Sequence, residues 1–133
     1  MNEEKEIIDE RRTMNDKPPA ELRERTRNFT LRVLNLYSSL PRTTQAQVLG
    51  KQLLRSGTSV GAHYREAKRA RSSAEFISKI EGGLQELEET SYWLELLADA
   101  RIVDSSRLKD LMRETEELIS IFVKSVKTVK KRL

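Results

Sequence analysis

Four carboxylates lie close together in the chain, at Glu81, Glu86, Glu88 and Glu89, and clustered glutamates hold the di-iron centre of some helical bundles. Such a centre takes its glutamates from separate helices and also needs two Glu-x-x-His motifs. The chain has a single histidine, His63, and no acidic residue stands three positions before it. We therefore predict no metal site.

Hydroxyl side chains at Ser56, Thr58 and Ser59 lie in the stretch Arg-Ser-Gly-Thr-Ser-Val-Gly, which superficially resembles a phosphate-binding loop. The stretch lacks the Gly-x-x-x-x-Gly-Lys-Ser/Thr spacing and a preceding strand. The chain contains no cysteine, so thiol nucleophiles and zinc-thiolate sites are excluded. His63 has no evident nucleophile beside it and is better interpreted as a packing residue. We predict no catalytic residue, no cofactor and no small-molecule substrate, and hence no enzyme.

Basic side chains are the remaining candidates for chemistry. The net charge is +4, and its distribution is uneven: residues 51–79 are mainly basic, 81–99 acidic and 124–132 basic again. Lysine and arginine contacts to phosphates give affinity without reading bases and weaken as salt rises. The candidate nucleic-acid-binding residues are Arg55, Arg65, Lys68, Arg69, Arg71, Lys124, Lys127, Lys130 and Lys131.

An alternative use of these charges is internal or intersubunit pairing. The acidic run after residue 80 is either a solvated face or the partner of Arg55 and Arg65. Aromatic side chains near the basic residues are limited to Tyr64 and Tyr92, which makes sequence-specific stacking on bases a weak expectation. Both interpretations, nucleic-acid contact and charge pairing in an oligomer, remain open from the residues.

Four amphipathic helices must position these groups. Apolar residues recur at steps of three and four, which indicates helices with one buried face, and no alternating pattern indicates a strand. The first predicted helix covers about residues 20–39, and the second runs from a cap at Thr43 or Thr44 to about residue 70. The third begins after a cap at Ser72 or Ser73, and the fourth begins after a cap at Asp104, Ser105 or Ser106. Since the last three are of similar length and the turns are short, we predict an all-α, antiparallel up-down-up-down four-helix bundle.

The predicted core faces follow this periodicity. On helix 1 the face is Leu22, Thr26, Phe29, Val33, Leu36 and Leu40, and on helix 2 it is Ala46, Leu49, Leu53, Ser56, Val60, His63 or Tyr64, and Ala67. On helix 3 it is Ile77, Ile80, Leu84, Leu87, Ser91, Leu94, Ala98 and Arg101, and on helix 4 Leu108, Leu111, Thr115, Leu118, Phe122, Val126 and Val129. Residues 1–19 fall outside the pattern and are predicted to be a flexible acidic arm before a bundle domain of residues 20–133.

Glycines inside predicted helices require a packing explanation, because each costs about 1 kcal/mol relative to alanine. They are Gly57 and Gly61 on helix 2 and Gly82 and Gly83 on helix 3. We predict that they are helix-packing residues and that helices 2 and 3 approach most closely where Gly61 faces Gly82 and Gly83.

Apolar residues outside the core faces predict a subunit contact. Leu31 and Leu34 on helix 1, and Trp93 and Leu96 on helix 3, lie outside or beside these faces, and surplus apolar area marks interfaces. We therefore expect a homo-oligomer. No apolar run approaches the ~20 residues that span a bilayer, and residues 1–16 do not resemble a signal peptide, so a cytoplasmic protein without membrane contact is expected.

Three stretches carry a family resemblance: residues 55–67 (RSGTSVGAHYREA), 73–80 (SAEFISKI) and 89–97 (ETSYWLELL). In this order they resemble the 23S rRNA intervening-sequence proteins, with coverage over about residues 22–130. One departure is His63, where that family more often has asparagine.

The resemblance implies a bacterial four-helix bundle that assembles as a homopentamer and has no enzymatic activity. Some such proteins are encoded within insertions in large ribosomal RNA genes. A more distant bundle accompanies the reverse transcriptase of diversity-generating retroelements and binds nucleic acid. The expected function is therefore a non-enzymatic oligomer that binds RNA or DNA as a ribonucleoprotein or reverse-transcriptase accessory factor. The alternative is a structural or protein-interaction oligomer with no nucleic-acid role.

Overall fold

Four helices make up the part of the chain that the computed structural model describes, residues 21–133. They are α1 (Glu21–Ser38), α2 (Thr44–Lys68), α3 (Ser73–Asp99) and α4 (Ser105–Lys130). Residues 21–133 contain no strand. The predicted all-α four-helix bundle is confirmed, whereas the acidic arm predicted at residues 1–19 lies outside the described residues.

Side-chain caps explain where three of the helices begin. The hydroxyl of Thr43 accepts a hydrogen bond from the Ala46 N–H at 3.2 Å, and that of Ser72 accepts one from the Glu75 N–H at 3.1 Å. The Asp104 carboxylate accepts from the Ser106 N–H at 3.0 Å. Each cap supplies an acceptor to a backbone donor that has no partner within the helix. The structure thus selects the first of the alternatives that the sequence left open at each helix start.

Neighbouring helices run in opposite directions. Between α2 and α3, Glu66 pairs with Lys79 at 3.3 Å, and Ser56 pairs with Thr90 at 2.8 Å. The earlier residue of α2 therefore contacts the later residue of α3, as in an antiparallel pair. The same opposed progression relates α1 to α2, α3 to α4 and α4 to α1. The last turns of α2 and of α4 therefore lie at the same end of the bundle.

The core follows the predicted faces of α1 and α4 closely. The predicted positions on α4 are all buried, and on α1 only Leu36 is partly exposed. On α2 the structure selects Tyr64, which is 3% exposed, over the half-buried His63. The rings of Tyr64 and Phe122 lie 6.3 Å apart across the core and connect α2 with α4.

On α3 the predicted face is wrong at two positions of its second half, although Leu94 is fully buried as predicted. Thr90 and Leu97 are fully buried in place of Ser91 and Ala98. After Leu87 the buried positions are Thr90, Leu94 and Leu97, at steps of three, four and three instead of the predicted four, three and four, and both orders are compatible with a period of 3.6 residues. The Thr90 hydroxyl is accommodated because it hydrogen-bonds both Ser56 Oγ and the Glu86 carbonyl at 2.8 Å.

Arg101 is the other error on helix 3. It is exposed and lies beyond the helix, at a φ of 58°. This left-handed conformation reverses the chain after α3, and the Ile102 and Val103 N–H groups then donate to the Leu97 carbonyl at 3.0 and 3.2 Å. A residue at the end of a helix commonly adopts this conformation to satisfy the last carbonyls.

Each helical glycine lies against a side chain of a neighbouring helix. A Cβ on Gly57 would lie 2.8 Å from Val33 of α1, and one on Gly61 would lie 3.5 Å from Thr26 of α1. The prediction that Gly61 faces Gly82 and Gly83 is therefore wrong, since a Cβ on Gly61 would point to α1.

The two glycines of α3 accommodate larger side chains. The His63 ring of α2 occupies the space beside Gly82, and the Phe122 ring of α4 occupies the space beside Gly83. In both places a Cβ would lie 2.8 Å from the ring. These glycines make room for rings rather than for a second backbone.

Candidate functional site

One end of the bundle collects most of the predicted nucleic-acid-binding residues. We define the basic end by the last turns of α2 with the residues after it and the last turns of α4: Arg65, Lys68, Arg69, Arg71, Lys124, Lys127, Lys130 and Lys131. The first turns of α3 lie between these two groups, because Lys79 contacts Glu66 of α2 and Glu81 contacts Lys130 of α4. The structure brings eight of the nine predicted cations to this end, whereas Arg55 lies further back on α2.

Two of the predicted cations are engaged in ion pairs between helices. Arg55 bonds to Glu86 at 3.3 Å and also to Glu89, and Lys130 lies 3.5 Å from Glu81. The interpretation of the acidic run as a partner of Arg55 is confirmed. Arg55 is therefore a link between α2 and α3 and is a weak candidate for phosphate contact.

Five other cations of the basic end are exposed and have no hydrogen-bond or ion-pair partner on their side chains within residues 21–133. They are Arg65, Arg69, Arg71, Lys127 and Lys131. We call them the unpaired cations. The pairing predicted for Arg65 with the acidic run is wrong, because Arg65 lies on α2 beyond the turns that α3 contacts through Glu86 and Glu89.

Two carboxylates near the basic end are paired with lysines, whereas Glu75 in the first turn of α3 is exposed and has no ion pair within residues 21–133. Glu66 lies 3.3 Å from Lys79, and Glu81 lies 3.5 Å from Lys130. Opposite charges this close offset each other's field at a distance. Partial burial lowers the pKa of Lys68, because desolvation disfavours its charged form. Three of the five unpaired cations are arginines, which keep their charge at all ordinary pH values.

Within residues 21–133, neither tyrosine that was predicted to stack on bases is exposed at the basic end. Tyr64 is buried in the core. Tyr92 is 52% exposed, but it lies in the second half of α3, with its ring 5.0 Å from that of Trp93. Among residues 21–133 the basic end thus offers charge without exposed aromatic rings, a surface suited to phosphate contact rather than base recognition.

The apolar residues predicted as an interface fall into two separate places. Leu31 and Leu34 are 42% and 40% exposed on the face of α1 that points away from its buried residues. Trp93 and Leu96 of α3 are half-buried, and Trp93 packs against the core while its indole N–H has no hydrogen-bond partner. Val48 of α2, which the sequence analysis did not single out, is 57% exposed.

A partly buried ion-pair network that the sequence analysis missed connects α1 to α4. The Arg25 guanidinium bonds to both oxygens of Glu114, at 2.8 and 2.7 Å, and to Glu117 at 2.5 Å. The hydrogen bond to Glu114, reinforced by Glu117, raises the pKa of Arg25 above its ordinary value. The spacing of Glu114 and Glu117 places both carboxylates on one helical face, which indicates a site for a cation. The sequence does not identify Arg25 as that cation, because the register of α1 against α4 is needed for this.

His63 has a packing environment. Its ring fills the space beside Gly82, with Nε2 3.9 Å from Glu86 and Nδ1 4.0 Å from Glu66. Within residues 21–133, no three His, Asp or Glu side chains converge as a metal site. No helix in this same part of the chain is long and apolar enough to cross a membrane.

Comparisons with known proteins give one family. The model of the family described as 23S rRNA-intervening sequence protein matches residues 20–124. A crystal structure of a protein of unknown function from the S23 ribosomal protein family of Bacteroides thetaiotaomicron VPI-5482 superposes with a TM-score of 0.75 and 36% sequence identity. The match covers 79% of this chain and 97% of that one. No curated protein matches the sequence.

Proposed function

The chain belongs to the 23S rRNA-intervening sequence protein family, and from that premise we propose that it is a non-enzymatic, homo-oligomeric bundle that binds RNA or DNA through the phosphate backbone. The observation that carries this proposal is the set of unpaired cations at the basic end. Its role would be that of an accessory factor in a ribonucleoprotein or beside a reverse transcriptase.

Phosphate contact follows from what the basic end presents. Exposed arginines offer planar, permanently charged donors that match phosphate oxygens, and the neighbouring carboxylates Glu66 and Glu81 are occupied by lysines. Five phosphate contacts correspond to a slope of log affinity against log salt of roughly −3.5 on single strands and roughly −4.5 on duplexes. Binding should therefore be nearly independent of sequence and should weaken steeply between about 50 and 200 mM salt.

Fluorescence anisotropy of labelled RNA and DNA of unrelated sequences, titrated at several salt concentrations, tests this function. Replacing Arg65, Arg69 and Arg71 together with glutamine should weaken binding and make the salt slope shallower by roughly 2 to 3. Circular dichroism should show an unchanged fold, because all three side chains are exposed and unpaired within residues 21–133.

A charge-matched control separates the basic end from net charge. Arg42, Arg101 and Lys109 are exposed cations near the opposite end of the bundle, where α2 and α4 begin. Their joint replacement with glutamine lowers the net charge by the same amount and should change the slope much less. No binding to RNA or DNA at low salt, or equal losses in both triple variants, would contradict the proposed use of the basic end.

The structural or protein-interaction oligomer is the second candidate, and the exposed apolar residues favour it. Leu31, Leu34, Val48 and Tyr92 are each at least 40% exposed, more large apolar surface than the core of one bundle needs. They lie on three different helices, and a contact that joins unlike patches is heterologous and forms a ring when its rotation closes; the family resemblance favours a pentamer. A concentration-independent monomer mass in light scattering at micromolar protein would refute assembly, and an oligomer that binds no nucleic acid would favour this candidate over the first.

A further inference from the structure

We propose that copies of this chain pair side by side in parallel, with Arg27 of one copy against Glu88 of the next, so that all basic ends lie on one face of the assembly. The partner that these surfaces fit is therefore a second copy of this chain. Nucleic acid then meets several basic ends at once. This last point rests on the proposed function, whereas the pairing of the two surfaces stands on the geometry alone.

The first surface is the exposed side of α1. Arg27, Leu31 and Leu34 follow one another at steps of four and three, so they form one stripe along this helix. Both leucines are at least 40% exposed. Arg27 is exposed and has no ion-pair partner within residues 21–133. We call this stripe the α1 face.

The second surface is the seam between α2 and α3. Trp93 and Leu96 each follow, by seven residues, a glutamate that bonds to Arg55 of α2. Since seven residues are close to two turns, both side chains lie on the side of α3 that borders α2. Val48 precedes Arg55 by the same seven residues, which places it on the side of α2 that borders α3. Val48, Trp93 and Leu96 therefore line one seam.

Glu88 and Tyr92 extend this seam on the outer side of α3. The exposed Tyr92 ring lies 5.0 Å from that of Trp93, which makes the pair an aromatic anchor of the kind that carries binding energy at interfaces. Glu88 lies one turn before Tyr92, is exposed and has no ion-pair partner within residues 21–133. We call the seam with these two residues the α3 face.

The two faces match in the order of their side chains. Helices α1 and α3 both begin at the basic end and run in the same direction. On α1 a cation is followed after four residues by a leucine, and on α3 a carboxylate is followed after four residues by a tyrosine. In parallel copies Arg27 therefore meets Glu88 while Leu31 meets Tyr92. An antiparallel arrangement would separate the two charges.

The two faces also lie at one height along the bundle. The hydrogen bonds of α1 to α2 place residues 31–34 level with residues 50–56 of α2. The contacts of α2 with α3 place residues 92–96 level with residues 48–54 of α2. A contact between faces at one height adds no shift along the bundle axis, so successive copies form a ring and not a helical filament. The basic end lies beyond both faces and stays uncovered.

The exposed charges around the two faces have opposite net signs. Around Arg27, α1 carries two further cations and one carboxylate, Arg23, Arg32 and Glu24. Around Glu88 the further exposed charges are two carboxylates and one cation, Glu95, Asp99 and Lys51. Arg55 also borders the α3 face and is already bound to Glu86 and Glu89. The α1 face is thus net positive and the α3 face net negative, so parallel copies attract each other here.

A parallel assembly changes what one basic end can hold. In a single copy the exposed carboxylates of Glu24 and Glu75 lie at the same end as the unpaired cations and limit the contact. Side-by-side pairing repeats the five unpaired cations on one face of the ring. A nucleic acid that is longer than one bundle end is then held at several places, and each further contact is intramolecular.

Cross-linking tests which faces meet. Because the chain has no cysteine, a variant with Arg27→Cys and Glu88→Cys carries thiols only at the proposed contact. A short bismaleimide should link it into a ladder of dimers and larger species on a denaturing gel. Each single-cysteine variant should stay monomeric, because residue 27 meets residue 88 and not itself. No ladder from the double variant, or a ladder from Arg27→Cys alone, would overturn the pairing.

A second pair of cysteines controls for chance collisions. Lys109→Cys with Glu88→Cys moves one thiol to an exposed position on α4 and should give no ladder. A ladder as strong as that of the proposed pair would show that the cross-link reports collisions, and would overturn the assignment.

Charge reversal tests the ion pair itself. Arg27→Glu, or Glu88→Arg, sets like charges against each other and should lower the native mass in light scattering at low micromolar protein. The two changes together restore the pair in reverse and should recover the mass. Lys109→Glu changes the net charge as much as Arg27→Glu and should leave the mass unchanged. If the double variant is folded by circular dichroism and stays dissociated, the pair is refuted.

Probes of two lengths test the shared basic face. A long single-stranded RNA should bind the oligomer at least roughly tenfold more tightly than a short one that fits a single basic end. Arg27→Glu should remove most of this difference and leave the affinity for the short probe nearly unchanged. An equal gain with length in the oligomer and in the dissociated variant would overturn the shared face. Cross-links at the proposed pair with no nucleic-acid binding would refute the proposed function and support the pairing.

Discussion

Substitution of two glycines one turn apart on α2 should have opposite effects on stability. A Cβ on Gly57 would lie 2.8 and 2.9 Å from the two methyl groups of Val33 and 3.2 Å from its Cβ. Val33 is fully buried, and its β-branched side chain has essentially one rotamer in a helix. At Gly61 the nearest atoms are Thr26 Oγ1 at 3.5 Å and Thr26 Cβ at 3.7 Å, which is ordinary contact.

The magnitudes follow from two opposed effects. Alanine is favoured over glycine in a helix interior by about 1 kcal/mol, and this gain applies at both positions. Overpacking a tight core costs about 1–3 kcal/mol, and this cost applies at Gly57 alone. The hydrogen bond from Thr30 Oγ1 to the Gly57 carbonyl, at 3.1 Å, also opposes separation of α1 from α2. Gly57→Ala should therefore destabilise the bundle by about 1 kcal/mol, and Gly61→Ala should stabilise it by about 0.5–1 kcal/mol.

Equilibrium unfolding in urea at a fixed protein concentration measures both changes. The midpoint should fall for Gly57→Ala and rise for Gly61→Ala with an unchanged m value, and the melting temperatures should differ by roughly 5–10 °C. A fixed concentration is needed because assembly contributes to apparent stability. If Gly57→Ala is stabilising, or if Gly61→Ala is destabilising, the assignment of both glycines to the α1 interface is refuted.

Three further changes test the polar contacts. Arg25→Met leaves the carboxylate of Glu114 without its bidentate partner and should cost roughly 2 kcal/mol in urea unfolding, with part of the loss recovered by Glu114→Gln in the same chain. Thr90→Val removes the shorter of the two hydrogen bonds of the buried Ser56 hydroxyl and should cost roughly 1 kcal/mol. The Ser106 N–H lowers the pKa of Asp104, so this cap should stabilise the fold above the ordinary value of 3.8 and lose its effect as pH falls below it, a dependence that Asp104→Asn should remove in melts across pH.

Helical periodicity and caps could be predicted because each depends on residues close in sequence. Thr43, Ser72 and Asp104 each bond to a donor two or three residues ahead, so neither packing nor register enters the prediction. The core face of α4 was equally accessible, because its predicted positions recur at steps of three and four and all of them are buried.

The sequence could not predict which neighbouring helix a given helix face contacts, because this depends on the rotation of each helix about its own axis. Gly57 and Gly61 were recognisable as packing residues, but periodicity does not say whether their face meets α1 or α3. The choice of Thr90 over Ser91 has the same origin, since both residues are small and polar and only the position of Ser56 on α2 decides between them. The Arg25 network depends on the axial register of α1 against α4, which no local signal encodes.

The distribution of ion pairs explains how a net charge of only +4 leaves one end strongly basic. Along the middle of the bundle, carboxylates meet arginines on adjacent helices, as Glu114 meets Arg25 and Glu86 meets Arg55. These pairs join helices, and their charges cancel locally. At the basic end Glu66 pairs with Lys79 and Glu81 with Lys130, whereas the five unpaired cations have no ion-pair partner within residues 21–133.

Those cations are also more numerous than helix stability requires. Cations in the last turn of a helix gain only about 0.3–1 kcal/mol each from the dipole, and the effect fades within that turn. Arg69 is the C-cap of α2, where a cation meets the helix dipole, but Arg71 lies two residues further along, and the stability of that helix does not explain its placement. A surface that binds polyanions explains both their exposure and their lack of partners within residues 21–133, and the salt dependence of the Arg65, Arg69 and Arg71 variant decides whether it does.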